Sequence, residues 1–152
     1  MKTLFSILCG LVTVLTVEAQ QYEYKVITSV ESIVSSGLGR SRLISAEEDK
    51  DYKEFTSTRS DDKNQDKRNK SDRDEIRVRN FEETKLLNFY NIGGIRFQNI
   101  AANDAVISSK INDMVANGWD LAFVNTGVET DAGREDGTGI FITRYIFRRL
   151  IE

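Results

Sequence analysis

The chain has no histidine and no proline, and its 152 residues include one tryptophan and one cysteine, Cys9. Without an imidazole there is no Ser-His-Asp or Cys-His relay and no zinc site of the usual His/Cys kind. A single cysteine closes no disulfide within the chain. Charge of one sign is also missing: 21 basic residues face 24 acidic ones, for a net charge of −3. That balance supplies no basic field for nucleic acid, so no nucleic-acid partner is expected. Long apolar runs are scarce too. The longest, Leu4 to Val17, is fourteen residues, against the ~20 that a membrane-spanning helix needs, so no stable membrane span is expected.

What is present begins with a leader pattern. Lys2, the apolar run and the small-residue exit Val17-Glu18-Ala19 read as a secretory signal peptide over residues 1–19, cut after Ala19. The expectation is an exported protein, periplasmic or extracellular, with a single domain over residues 20–152. Cleavage would remove Cys9, so the remainder must be held by its hydrophobic core rather than by disulfides.

Gln21 to Val34, rich in Tyr, Val, Ile and Thr, predicts a strand. Its alternation sends Tyr22, Tyr24, Val26, Thr28 and Val30 one way and Glu23, Lys25, Ile27 and Ser29 the other. Gly37 and Gly39 suit a hairpin turn, with Arg40 to Ser45 returning as a partner strand. From Ser45 to Arg79, 21 of 35 residues are charged, and Asp61 to Glu75 contains no aliphatic or aromatic side chain. With nothing to bury, residues 60–75 are expected to form a mobile charged loop, the tip of a hairpin extension with Tyr52, Phe55 and Thr56 on one stem and Ile76 and Val78 on the other. Apolar character returns at Leu86 to Tyr90, which reads as a strand, broken at Gly93-Gly94.

Asp104 to Asn117 predicts the principal helix, with Asn103 as its N-cap. Val106, Ile107, Ile111, Met114 and Val115 recur at helical spacing, and Gly118 suits a left-handed residue just past the end. Trp119 to Val128 and Gly139 to Arg149 then read as two strands of an antiparallel hairpin. In the last strand Phe141, Thr143, Tyr145 and Phe147 face one side, and Ile140, Ile142, Arg144 and Ile146 the other. A single helix covers only one of these two apolar faces, so the second must be covered by the inserted segment or by another copy of the protein. The fold class that follows is α+β: a mainly antiparallel β-sheet with one principal amphipathic helix, in the order β-insertion-α-β-β, and a charged β-hairpin extension.

Candidate chemistry is sparse. Trp119, at the helix-to-strand junction, is expected to anchor the core rather than stack on a sugar. Asp131, Glu135 and Asp136 carry oxygen ligands suited to calcium, but without the spacing of a calcium loop and with Arg134 among them, so they read as a hydrophilic hairpin tip. Pairs of carboxylates need no histidine for glycoside hydrolysis, yet most acidic residues lie in segments expected to be solvated, where nothing raises a carboxyl pKa. Tyr90, Arg96 and Phe97 beside Gly93-Gly94 form the possible ligand or partner surface.

Three segments also resemble a known family when taken in order: Tyr22-Glu23-Tyr24-Lys25-Val26-Ile27, then Ile111 through Gly118-Trp119-Asp120-Leu121, then Tyr145-Ile146-Phe147-Arg148-Arg149. They are similar to a small bacterial domain-of-unknown-function family (DUF 4177-like). The resemblance covers about half of the expected mature chain. It implies a β-α-β-β unit and brings no activity, cofactor or catalytic residue. This chain departs from it with Asp120 in place of Glu and with a large insertion at 31–103. The expected function is a non-catalytic protein-interaction or structural module of the cell envelope, with no cofactor, a protein partner or self-association. An envelope glycan or small-ligand binder is the alternative, and a carboxylate-based hydrolase comes behind it.

Overall fold

The computed structural model describes residues 20–32, 40–62, 64, 66–91, 93–129 and 139–151. Five antiparallel strands form one sheet in the order β3-β2-β1-β7-β6. These are β1 (Tyr22–Ser32), β2 (Arg42–Ala46), β3 (Phe81–Lys85), β6 (Asp120–Glu129) and β7 (Ile140–Leu150). A two-stranded ribbon, β4 (Tyr90–Asn91) with β5 (Gly94–Ile95), precedes the long helix. A short helix α1 (Arg73–Ile76) and the long α2 (Phe97–Ala116) are the α-helices among the described residues. The α+β class expected from the sequence is what the chain adopts.

The first and last strands of the chain sit side by side at the centre, paired in register from Tyr22–Leu150 to Ser32–Ile140. This is why the two longest β-branched and aromatic runs are the deepest: each has a hydrogen-bonded neighbour on both sides. α2 lies across one face and closes a core of Ile27, Leu43, Leu86, Ile107, Met114 and Phe147, with Val106, Ile111, Trp119 and Tyr145 packed around it. On α2 the inward residues Asn103, Ile107 and Met114 fall at spacings of four and seven, the repeat of one helical face.

α2 starts at Phe97, seven residues before the expected Asp104. Nothing between Phe97 and Asn103 breaks a helix. Arg96 opens it, accepting at its carbonyl from the Asn99 and Ile100 amides at 3.0 and 3.3 Å. Asn103 is therefore no cap but a buried residue in mid-helix. Its side chain does for another segment what a cap does for a helix. Oδ1 accepts from the Leu87 amide at 2.7 Å, and Nδ2 donates to the Leu87 carbonyl at 2.8 Å and to Glu31 Oε2 at 3.1 Å. A primary amide offers one acceptor and two donors on one planar group, so it can pair with both backbone groups of Leu87 as a neighbouring strand would.

That bond explains a second departure. Leu86 to Phe89 is not a strand, and β3 lies upstream at Phe81–Lys85. The irregular segment is fixed by polar contacts instead: Ser41 Oγ donates to Asn88 Oδ1 at 2.7 Å, Asn99 Nδ2 donates to the Asn88 carbonyl at 2.7 Å, and the Arg96 amide donates to the Phe89 carbonyl at 2.7 Å.

The charged stretch also differs from expectation. Its described residues show a single bridge, Thr58 to Lys67, rather than a hairpin stem. Tyr52–Phe55 form one 3-10 turn, and Arg73–Ile76 one helical turn with an Asp72/Glu75 capping box. With no apolar side chains to bury, Asp, Asn and Ser bond neighbouring backbone instead. Examples are the Ser60 amide to Asp66 at 2.8 Å and the Asn69 amide to Ser57 at 2.9 Å. β1 runs to Ser32 and α2 begins at Phe97, so the segment between them is 33–96, shorter at both ends than the expected 31–103. The turn at Gly37 and Gly39 lies outside the described residues.

The helix end is as expected. Gly118 has φ +83°, its amide reaches the Val115 carbonyl at 3.0 Å, and the Trp119 amide reaches the Met114 carbonyl at 3.1 Å. This is the paired-bond termination that requires a left-handed residue. Gly118→Ala meets little steric resistance, since a Cβ there would lie 3.7 Å from Arg149 Cδ. The cost is conformational, and thermal unfolding is expected to report about 1 kcal/mol of lost stability.

Candidate interaction surface

The strand registers sort the sheet into two faces. Toward α2 point Lys25, Ile27, Ser29 and Glu31 of β1, with Phe147, Tyr145, Thr143 and Phe141 opposite them on β7. The other face carries Tyr22, Tyr24, Val26, Thr28 and Val30 with Leu150, Arg148, Ile146, Arg144 and Ile142. The helix thus takes the face of β1 that holds Lys25 and Glu31, while the more apolar side stays open. Tyr24 is 58 % exposed and Val26 44 %.

On the open face one row is apolar from edge to edge. Phe123 opposes Ile146, Ile146 opposes Val26, Ala46 lies one position beyond the Ile27–Ser45 pair, and Ala46 opposes Phe81. Phe123 is 59 % exposed, and Phe81 is exposed as well. The irregularity between Leu121 and Phe123 turns Phe123 onto this row, since one extra residue in a strand switches the side to which its successors point. Among the described residues, the inserted segment does not cover this face. It widens the sheet sideways through β2 and β3.

Charges flank the row. Arg148 lies over the Tyr22 ring at 4.7 Å, and Arg42 pairs with Glu83. Arg144 has no ion-pair partner among the described residues. β6 is a sheet edge, and from Leu121 to Val128 it has no charged residue. Natural edges are usually blunted by charge or proline.

Trp119 packs on the core periphery with the Arg149 guanidinium 4.5 Å over its ring. Arg149 in turn donates to Glu23 at 2.7 Å. Trp119 thus anchors the helix-to-strand junction, as expected, and the arginine occupies the ring face that a sugar would need.

Tyr90, Arg96 and Phe97 do come to one corner. Tyr90 opposes Ile95 in the ribbon, Arg96 follows it, and Phe97 opens α2 at 77 % exposure. They line neither the groove beside α2 nor the hollow at the end of β7. A groove of about 540 Å³ runs between α2 and β2–β3, lined by Leu43, Glu82, Thr84, Val106, Lys110 and Asp113. Lys110 spans it, 2.7 Å from Glu82. A hollow of about 580 Å³ lies at the Gly118–Arg149 end.

Among the described residues, two groups have displaced acidities. The Glu48 carboxylate is held below its usual range because it accepts from the Asn80 and Arg79 amides, both at 2.6 Å. Hydrogen bonds to the ionised form work against the raised pKa of a general acid. The Tyr145 phenol is pushed up by burial. Among the described residues no three His, Cys, Asp or Glu side chains gather as metal ligands, and no helix is long and apolar enough to cross a membrane. Asp131, Glu135 and Asp136 lie outside the described residues. Alternation alone makes both faces of β7 apolar and does not say which one α2 takes. No family model, curated protein or solved structure matches the chain.

Proposed function

We propose that this chain is an exported, non-catalytic module of the cell envelope that works by protein contact through the open face of its sheet. The observation that carries this reading is the exposed apolar row from Phe81 through Val26 to Phe123. Monomeric soluble proteins rarely leave a contiguous apolar patch spanning a whole sheet, and such patches mark contact sites. The leader pattern of residues 1–19 supports export. A contact module also needs no histidine, which accords with the composition.

Photo-crosslinking in the producing cell tests the reading. A benzophenone amino acid at position 26 is expected to give discrete protein adducts, and one at Ser109, on the exposed side of α2, is expected to give none. Adducts absent from both positions, or equal at both, would sink it.

A further inference from the structure

We infer that the open face closes on the open face of a second copy of this chain, with a two-fold axis running along β1. The inference rests on the reading of that face as a contact surface and names its occupant.

The first argument is internal symmetry. β1 is the middle strand of five. A two-fold axis parallel to β1 lays the β3 edge of one copy over the β6 edge of the other, and β2 over β7. Along the apolar row this places Phe123 over Phe81 of the second copy, Ile146 over Ala46, and Val26 over Val26. Aromatic meets aromatic at both ends, and a large side chain meets a small one between, which is the alternation that lets facing layers interdigitate. The isologous arrangement uses the same patch on both subunits and closes without leaving a free copy of the surface.

The second argument is charge. On the next row Arg144 opposes Asn125 and Thr28, while Glu83 opposes Ile44. The same axis carries Arg144 over Ile44 of the second copy, one strand from its Glu83. Arg144, which has no ion-pair partner among the described residues, comes within reach of a Glu83 that also pairs with Arg42 of its own chain, and each dimer makes that contact twice. A two-fold axis along the apolar row instead stacks Arg144 over Arg148 and loses this match.

The third argument is size. The five strands, at ~3.3 Å by ~4.8 Å per residue, present roughly 670 Å² in projection on this face. This approaches the ~800 Å² that each partner commits to a standard interface.

Sedimentation equilibrium of the purified chain from about 1 to 200 µM gives the first readout. A mass twice that of the single chain is expected at the upper end, and a monomer throughout overturns the inference. Val26→Lys places two ammonium groups against each other on the axis and is expected to raise the dissociation constant at least tenfold, whereas Ser109→Lys leaves it unchanged. Phe123→Lys, at an exposed edge position, serves if Val26→Lys loses its far-UV circular dichroism. A dimer indifferent to the folded variant also overturns the inference.

Orientation is read by mixing Phe123→Cys and Phe81→Cys chains, both in a Cys9→Ser background, with a bismaleimide spanning about 10 Å, the separation of packed sheets. Crosslinks between position 123 and position 81 are expected. Crosslinks between two copies of position 123 would indicate pairing of β6 edges and reject the face-to-face arrangement. A monomeric chain that still gives adducts at position 26 in the cell would overturn the second copy but leave the contact module standing. Without those adducts, both would fall.

Discussion

Phe147→Ala is expected to cost about 4 kcal/mol of unfolding free energy in a denaturant titration, from the loss of a large buried ring plus the cavity it leaves. Phe147 is 0 % exposed and sits on β7 opposite Lys25 and Leu121, at the centre of the cluster that α2 closes. The space where Ile27, Leu43, Ile107, Ile111, Tyr145 and Phe147 meet is close-packed, with no room for water. These neighbours come from β1, β2, α2 and β7, so collapse onto the vacancy would have to move several elements at once. Phe147→Leu keeps most of the volume and is expected to cost roughly 1.5 kcal/mol. Domains of this size are stable by about 5 to 15 kcal/mol in total, so the alanine variant is expected to lose from about a quarter to most of that margin. An alanine variant as stable as the leucine one would mean that the core is far looser than described.

The second large effect is expected at Asn103. Beside the bond from Asn99 to the Asn88 carbonyl, its amide ties α2 to Leu87 of the irregular segment, and it reaches Glu31 on β1 as well. Asn103→Leu keeps the size but strands the Leu87 amide and carbonyl without partners. Leu87 itself is 42 % exposed, so water offsets part of the ~1 to 3 kcal/mol that each unsatisfied buried group costs, and the expected loss is about 2 kcal/mol. Asn103→Asp separates the hydrogen-bond pattern from simple shape. Oδ1 can still accept from the Leu87 amide, but the second oxygen would face the Leu87 carbonyl and Glu31 as an acceptor against acceptors. It is expected to be no better than leucine at pH 7 and to recover part of the loss in acid, when the carboxyl carries a proton to donate. Stability of Asn103→Asp that does not change with pH would contradict this account.

These two residues show what could be seen in the chain and what could not. Phe147 is legible: the alternation of the last strand places it with Tyr145 and Phe141 on one apolar face, and that face is the one α2 covers. Gly118 and the strands on either side of it are legible for the same local reasons. Asn103 is not. Its preference for a helix start is a local rule, and what overrides it is a partner sixteen residues upstream that sequence spacing does not reveal. Likewise β1 presents apolar residues on both sides. Tyr24 and Val26 are the larger pair, yet the helix packs on the Ile27 side, because Ile27 and Phe147 meet Leu43, Ile107 and Met114 there. The proposed contact surface is thus visible in the sequence as a face without cover, but which face it is depends on this choice.

Tyr90, Arg96 and Phe97 illustrate the converse. They are adjacent in sequence around Gly93-Gly94 and remain adjacent in space, but on an exposed corner. The apolar row that carries the functional proposal instead joins Phe81, Val26 and Phe123, which are distant in sequence. No local motif announces such a row. It exists only once five strands have taken their register, and the irregularity at Leu121–Phe123 supplies its last member.

The central claim is that this row is the surface on which the protein works. Thiol protection at position 123 tests it most directly, since Cys9 is the chain's single cysteine and can be replaced by serine. In Phe123→Cys, reaction with a membrane-impermeant maleimide is expected to be fast for dilute purified protein. In the intact envelope it is expected to be at least tenfold slower, while Ser109→Cys reacts at the same rate in both settings. Equal rates at position 123 in the two settings would show that nothing covers the row where the protein resides, and would contradict the account.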